Sequence, residues 1–218
     1  MHHQSFWLWQ FQWLIYAGFI ITVVYVCRYL FYTDWGSKEP KIGRCSMDGK
    51  NCIKLITSNI TWPNAITLDY VNKKVYWADA RLDTISVVDY DGANRRVVAG
   101  GIGQDRIPHP FAITLYQGFI YVTDWRINAV YKVDLLNNGN RTHMIKDLRR
   151  PMDIQVFHAS RQNHSKNYCE SFGCKHLGLL SNVAPKHCQC ACAMGYTLEA
   201  DGKTCIRFVM HGLLHLFI

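Results

Sequence analysis

Three segments of this chain align without gaps around an aspartate: LFYTDW at 30–35, VYWADA at 75–80 and IYVTDW at 120–125. The aspartates are Asp34, Asp79 and Asp124, so both intervals are 45 residues. A fixed period of that length means one supersecondary unit copied along the chain, each copy burying its apolar surface only against its neighbours. A second motif travels with the first: WPNAITLD at 62–69, HPFAITLY at 109–116 and RPMDIQVF at 150–157. Asp-Gly turns recur between strand-like runs, in MDGKN at 47–51 and YDGAN at 90–94.

Each unit reads as four short strands. In the central copy these are Ile66-Thr67-Leu68 behind Pro63, the Val75-Tyr76-Trp77 run, TISVVDY at 84–90, and RRVVAG at 95–100 after the turn at Asp91-Gly92. Apolar runs of β-branched and aromatic residues bounded by turn residues are strands. The spacing of Pro and Asp-Gly excludes a helical solenoid. Four strands in roughly 40 to 45 residues is the signature of a β-propeller blade.

Cysteine places the chain in a compartment. Six of nine cysteines lie between Cys169 and Cys205, a disulfide-framework density. Cys45 and Cys52 flank Asp48-Gly49. If those two residues form the turn, the cysteines sit opposite each other on paired strands and a disulfide fits, whereas a longer loop changes the register. Cys27 has no evident partner. Sequons at Asn59, Asn140 and Asn163 lie in polar, turn-like settings, so the chain reads as extracellular or lumenal. The net charge of +8 permits an anionic partner, but Lys and Arg are scattered apart from Arg95-Arg96 and Arg149-Arg150. That pattern is a solvated surface, and no nucleic-acid partner is expected.

The tetrads Phe31-Tyr32-Thr33-Asp34, Tyr76-Trp77-Ala78-Asp79 and Tyr121-Val122-Thr123-Asp124 resemble the Tyr-Trp-Thr-Asp repeats of low-density lipoprotein receptor-like propellers. So do the run at 62–85 and the segment RPMDIQVFHASRQ at 150–162, which is similar to the closing stretch before an EGF-like module. The resemblance, to the low-density lipoprotein receptor-related proteins, covers roughly residues 28 to 205. It implies an all-β fold: a partial six-bladed YWTD-type propeller followed by a small disulfide-rich EGF-like module. The expected domains are an apolar segment 1–27, propeller repeats 28–158, a linker 159–168, the EGF-like module 169–205 and an apolar tail 206–218. Two blades are complete in sequence, 62–100 and 109–148; one, 28–58, lacks its first strand, and 151–157 supplies a first strand for another. Half a propeller bares a large apolar blade face. The expectation is therefore a fragment of a longer protein in preference to a self-paired copy.

The tetrad aspartates have two readings, chemical and structural. Recurrence in every blade favours carboxylates that accept backbone N–H groups, since one active site needs no three copies. Tyr76, Trp77 and Tyr121 are expected to pack between blades, while Trp35 and Trp125, just past their strands, are candidates for a ligand face. No Ser/His/Asp arrangement or carboxylate cluster rises above chance, so no catalytic residue and no enzyme activity is assigned.

In the cysteine-rich module, CACAMGYTLEADGKTC at 190–205 resembles an EGF-like hairpin. The resemblance implies Cys174–Cys190 and Cys192–Cys205. The third cysteine of the family pattern falls near residue 178, where Gly178 stands, and Cys188 is an extra. Cys169 either pairs with Cys188, a departure from the family, or is free; a small domain's need for staples favours pairing. Cys188, Cys190, Cys192, His176 and His187 do not match zinc-finger spacing, and NHSKNYC at 163–169 has no acid for calcium, so no metal or cofactor is expected.

From Phe6 to Cys27 there is no Asp, Glu, Lys or Arg and Trp13 to Cys27 is almost unbroken apolar, a stretch long enough to span a bilayer as a helix, with Trp7, Trp9, Trp13, Tyr25 and Tyr29 as interfacial anchors. It is a poor signal peptide. As an anchor it has the wrong sign: Arg28, Lys38, Lys41 and Arg44 follow it, which puts the propeller in the cytosol, while disulfides and sequons demand the outside. Residues 208–218 are too short to span. The reading is translated non-native sequence at both ends. The expected function is a ligand-binding and ligand-release module of an endocytic or signalling receptor at the extracellular side of the cell membrane. Its partners are protein ligands, and its membrane association runs through the N-terminal segment or the rest of the receptor. His109 and His158 are the candidates for an acid switch. A matrix adhesion protein with a similar propeller is the alternative.

Overall fold

The computed structural model describes residues 19–24, 29–36, 38–101, 107–161, 167–182 and 187–207. Cys27, Asn163, the anchors Trp7, Trp9, Trp13 and Tyr25, and the tail 208–218 lie outside them. Three four-stranded antiparallel sheets follow one another along the chain. The first is β1 (Phe19–Val24), β2 (Tyr29–Asp34), β3 (Lys41–Ser46) and β4 (Ile53–Ile56). The second is β5 (Pro63–Asp69), β6 (Lys74–Asp79), β7 (Thr84–Asp89) and β8 (Arg96–Gly100). The third is β9 (Pro110–Tyr116), β10 (Phe119–Asp124), β11 (Ala129–Asp134) and β12 (Arg141–Ile145). In each, strands pair in sequence order, the meander of a propeller blade.

The first blade is complete, which corrects the expectation that it lacks its first strand. Within the apolar N-terminal run, Phe19–Val24 is a strand and not a helix, paired antiparallel with β2. Ile20 opposes Thr33 and Ile21 opposes Tyr32, the same pairs, 45 residues earlier, as Ala65 with Ala78 and Ile66 with Trp77. Ile20-Ile21-Thr22-Val23 is thus the counterpart of Ala-Ile-Thr-Leu at 65–68 and 112–115. The physical reason is twofold: β-branched residues suit a pleated strand, and pairing satisfies the open edge of β2. Residues 19–24 therefore belong to the fold. Among the described residues no helix is long and apolar enough to cross a membrane. A second correction concerns 151–157, which runs extended but joins no sheet. No strand of the YWTD pattern follows to pair with it; a 3-10 turn, Ala159–Arg161, follows instead.

Strand alternation gives the central blade two apolar faces. Tyr76, Ala78, Ile85 and Val87 turn to the third blade and bury against Ile113, Leu115, Ile120, Val122, Tyr131 and Val133. Their neighbours Val75, Trp77 and Val88 turn the other way, against Phe31, Ile42, Ile56 and Ile60 of the first blade and its exit. The position after the first tetrad residue faces the previous blade and the first faces the next, so Phe31 and Tyr76 are buried while Tyr121, their third copy, is only half-buried. Arg44 ties the first two blades by donating to the carbonyl of Tyr90 at 2.7 Å.

The cysteine-rich module consists of two hairpins, β13 (Leu177–Leu180) with β14 (Cys188–Ala191), and β15 (Tyr196–Leu198) with β16 (Cys205–Arg207). Its approach crosses the blade ends from third to first. His158 lies against Tyr116, with ring centroids 5.3 Å apart, and Arg161 stacks over Tyr70. Ser181 Oγ then donates to Asp48 at 2.7 Å, and Lys50 Nζ donates to the Gln189 side chain at 3.1 Å. The module is seated on the β3–β4 turn of the first blade.

Candidate functional site

Each tetrad aspartate ends the second strand of its blade. The Asp79 carboxylate accepts four backbone N–H groups, from Thr61 at 2.7 Å, Trp62 at 3.1 Å, and Arg81 and Leu82 at 3.0 Å each. Asp124 accepts from His109, Arg126 and Ile127, and from the Tyr131 hydroxyl at 3.3 Å. Burial first, and Asp124 second, raise the Tyr131 pKa far above its ordinary value, so the hydroxyl keeps its proton and remains a donor. Asp34 accepts from Gly36 N and from the Lys41 ammonium. Asp79 and Asp124 are consumed in holding the segment before strand one to the loop after strand two, and Asp34 in holding that loop to the start of strand three.

The same bonds shape one end of the blades. There the chain presents Trp35, Trp62, Leu82 and Ile127, each exposed, on loops that follow the second strands or precede the first. Arg81 stacks over the Trp62 ring at 5.6 Å. Trp35 is open to solvent, but Trp125 is not, contrary to the expectation. Its ring stacks on Phe111 with centroids 4.0 Å apart, its Nε1 donates to the Pro151 carbonyl at 3.0 Å, and His109 covers it at 6.0 Å. The extended segment at 151, which has no sheet of its own, seals this aromatic stack. His109 thus sits at the blade start between Trp125 and the Asp124 bond, while His158 is exposed at the opposite end. The structure does not bring the two histidines together.

Sequence reasoning passed over Trp62 and the pairs Arg81-Leu82 and Arg126-Ile127. A signal for those pairs was available, since each falls two and three residues past its aspartate, 45 residues apart. Arg95, by contrast, of the dense pair Arg95-Arg96, is taken up internally: its guanidinium donates to the carbonyls of Ser58 and Asn59 and stacks over Trp77.

Among the described residues there are four disulfides, Cys45–Cys52, Cys169–Cys188, Cys174–Cys190 and Cys192–Cys205. Cys45 and Cys52 continue the β3–β4 register of Arg44 with Ile53. Gly178 lies where the link from Cys169 to Cys188 passes. A Cβ there would meet the Cys169 Cβ at 2.7 Å and the Cys188 sulfur at 3.5 Å, so any side chain is excluded. His176, Cys192 and Cys205 group within 4.8 Å, but the two sulfurs are bonded to each other and offer no thiolate. Asn59 and Asn140 are exposed.

Comparison with known proteins agrees with this geometry. The low-density lipoprotein receptor repeat class B profile matches residues 28–70 and 73–117. The chain is 34% identical over 189 residues to the vitellogenin receptor Yl of Drosophila melanogaster, covering 87% of this chain and 9% of that protein. It is 39% identical over 171 residues to low-density lipoprotein receptor-related protein 5 of Homo sapiens, covering 78% of this chain and 10% of the relative. The chain therefore spans about a tenth of the length of these relatives. Among solved structures it is similar to a chain in the crystal structure of a nidogen/laminin complex, at 28% identity and a TM-score of 0.53, over 62% of this chain and 49% of that one.

Proposed function

Because the chain belongs to the family built from low-density lipoprotein receptor class B repeats, we propose that it is a ligand-binding module of an endocytic or signalling receptor, acting outside the cell. The observation that carries this reading is the division of labour at the loop end. The recurrent carboxylates are spent on backbone N–H groups, and what remains open there is Trp35, Trp62 and their apolar neighbours. Large exposed apolar side chains on loops held by a rigid scaffold are a binding surface. Four disulfides and the exposed sequons Asn59 and Asn140 support a secreted, glycosylated setting. Membrane attachment belongs to the receptor as a whole.

A random-peptide phage library selected on the secreted chain tests the reading. Selected clones are expected to lose the variant with Trp35→Ala and Trp62→Ala, and to keep one with Lys73→Glu at the opposite end. Clones that bind both variants equally would overturn it. Acid-triggered release is proposed to use His109, whose ring stacks on Trp125 at a blade start, and His158, which lies against Tyr116 before the cysteine-rich module. Unchanged release from a receptor carrying His109→Gln and His158→Gln would refute that role.

The second reading, a matrix adhesion module, draws on the likeness to the nidogen/laminin structure. Ligand uptake by cells displaying the module favours the receptor; retention of bound ligand at the surface favours adhesion.

A further inference from the structure

One disulfide stands apart from the other three. Cys52 is the single exposed cysteine among the described residues and lies at the entry to the outermost strand β4, whereas its partner Cys45, on β3, is 8% exposed. The cysteines of the module's three links are all buried or half-buried.

This link is not what makes its hairpin. Around Asp48-Gly49, Ser46 N donates to the Lys50 carbonyl at 2.8 Å, Gly49 N to the Ser46 carbonyl at 2.9 Å, and Lys50 N to the Asp48 carboxylate at 3.1 Å. Around Asp91-Gly92 the second blade forms the same bonds from Asp89, Gly92 and Ala93, at 2.9 Å each, with no cysteine between residues 88 and 95. The two hairpins differ at the start of the fourth strand. Arg96 pairs with Val87 as Ile53 pairs with Arg44, so Arg95 and Cys52 hold matching positions. Arg95 fastens its strand by donating to the carbonyls of Ser58 and Asn59. The first blade fastens the same point with a sulfur–sulfur bond.

That bond closes the loop on which the cysteine-rich module is seated. Asp48, which accepts from Ser181, and Lys50, which donates to Gln189, both lie between the two cysteines. We propose that Cys45–Cys52 is a modification site, a reducible lock on the module's seat, and that its reaction partner is a dithiol. A thiolate of the dithiol attacks the exposed Cys52 sulfur to form a mixed disulfide, and Cys45 leaves as a thiolate that takes up a proton. The dithiol's second sulfur, as a thiolate, then attacks its own partner sulfur in the mixed disulfide and releases Cys52, which is protonated in turn. Two electrons have passed to the cysteines, and the dithiol ends as a disulfide. In the reduced chain the turn keeps its backbone bonds, and Cys45 stays packed as a small apolar side chain. The four-residue β4 loosens from its first residue, and the seat loosens with it. The module thus gains freedom while every blade stays folded.

The test titrates dithiothreitol into the whole secreted chain and reads the order of opening by alkylation and mass spectrometry. Cys45 and Cys52 are expected to be labelled at a concentration about tenfold or more below that needed for any link of the module. At that concentration hydrogen exchange in β13 and β14 is expected to rise about threefold or more, while β6 and β10 stay protected. A chain with Cys45→Ser and Cys52→Ser is expected to show the raised exchange without dithiol and no further rise with it. A module link that opens first, or together with Cys45–Cys52, would overturn the site. Opening of Cys45–Cys52 first, with exchange in β13 and β14 unchanged, would overturn the lock and leave a plain staple. Should the double variant fail to be secreted, the titration of the unaltered chain decides alone.

Discussion

Asp79 holds four backbone donors with two oxygens, and Asp34 holds one backbone donor and a lysine. The same letter at the same repeat position therefore carries different energy. Asp79→Ala strands four part-buried N–H groups and is expected to cost on the order of 4 kcal/mol, while Asp34→Ala costs about 1 kcal/mol. Urea unfolding of the secreted variants measures both, and equal losses would contradict the clamp. Gly178→Ala is a second residue-scale case. Its Cβ would lie 2.7 Å from the Cys169 Cβ, so the variant is expected to show free Cys169 and Cys188 thiols by mass spectrometry, with the other three links intact. What was legible at this scale was spacing: three aspartates 45 residues apart named the clamp. Which tryptophan stays open was not legible. Trp35 and Trp125 follow identical aspartates, and Phe111, His109 and the Pro151 carbonyl, brought in by tertiary structure, cover the second so that it is half-buried.

At the scale of elements the third and fourth strands of the central blade were readable to within a residue, because Asp91-Gly92 punctuates them, whereas the first two run longer than their apolar centres, Ile66 to Leu68 and Val75 to Trp77. β1 was not readable. Ile20-Ile21-Thr22-Val23 repeats Ala-Ile-Thr-Leu in register, but an unbroken apolar run around it hides alternation, and length then argues for a helix. Pairing with β2 decides the matter. Thr22→Pro is expected to expose the β2 edge, raising hydrogen-exchange rates at Leu30 to Thr33 while leaving β6 and β10 protected. Unchanged rates in β2 would argue against the pairing. The β15–β16 turn gives a pH test. The Thr204 hydroxyl first, then the N–H groups of Thr204 and Lys203, hold the Asp201 carboxyl down to about 2. A folded-state pKa below the unfolded value of 3.8 stabilises above that pH, and the contribution is lost as pH falls from there toward 2. Asp201→Asn should flatten this acid dependence in the module's unfolding, measured by the fluorescence of neighbouring Tyr196.

For the whole molecule, the deciding fact is where the cysteine-rich module sits. Its presence was legible from cysteine density, but its seat was not, because the seat is made by polar contacts between residues 133 and 139 positions apart. No periodicity carries that information. Returning across Tyr116 and Tyr70 to Asp48 and Lys50, the chain lays its last domain over the end of the blades that carries the β3–β4 turn and leaves the tryptophan-bearing end open. The seat of the module includes two modest polar contacts, and their worth can be measured. A double-mutant cycle of Asp48→Ala and Ser181→Ala is expected to give a coupling of about 1 kcal/mol, with a similar value for Lys50→Ala and Gln189→Ala. Breaking both should leave the blades folded but raise hydrogen-exchange rates in β13 and β14, since a module released from its seat opens more readily. A coupling near zero in both cycles, with exchange unchanged, would mean that the disulfide-bonded module keeps its place without these bonds and that the open end owes its freedom to something else in the fold.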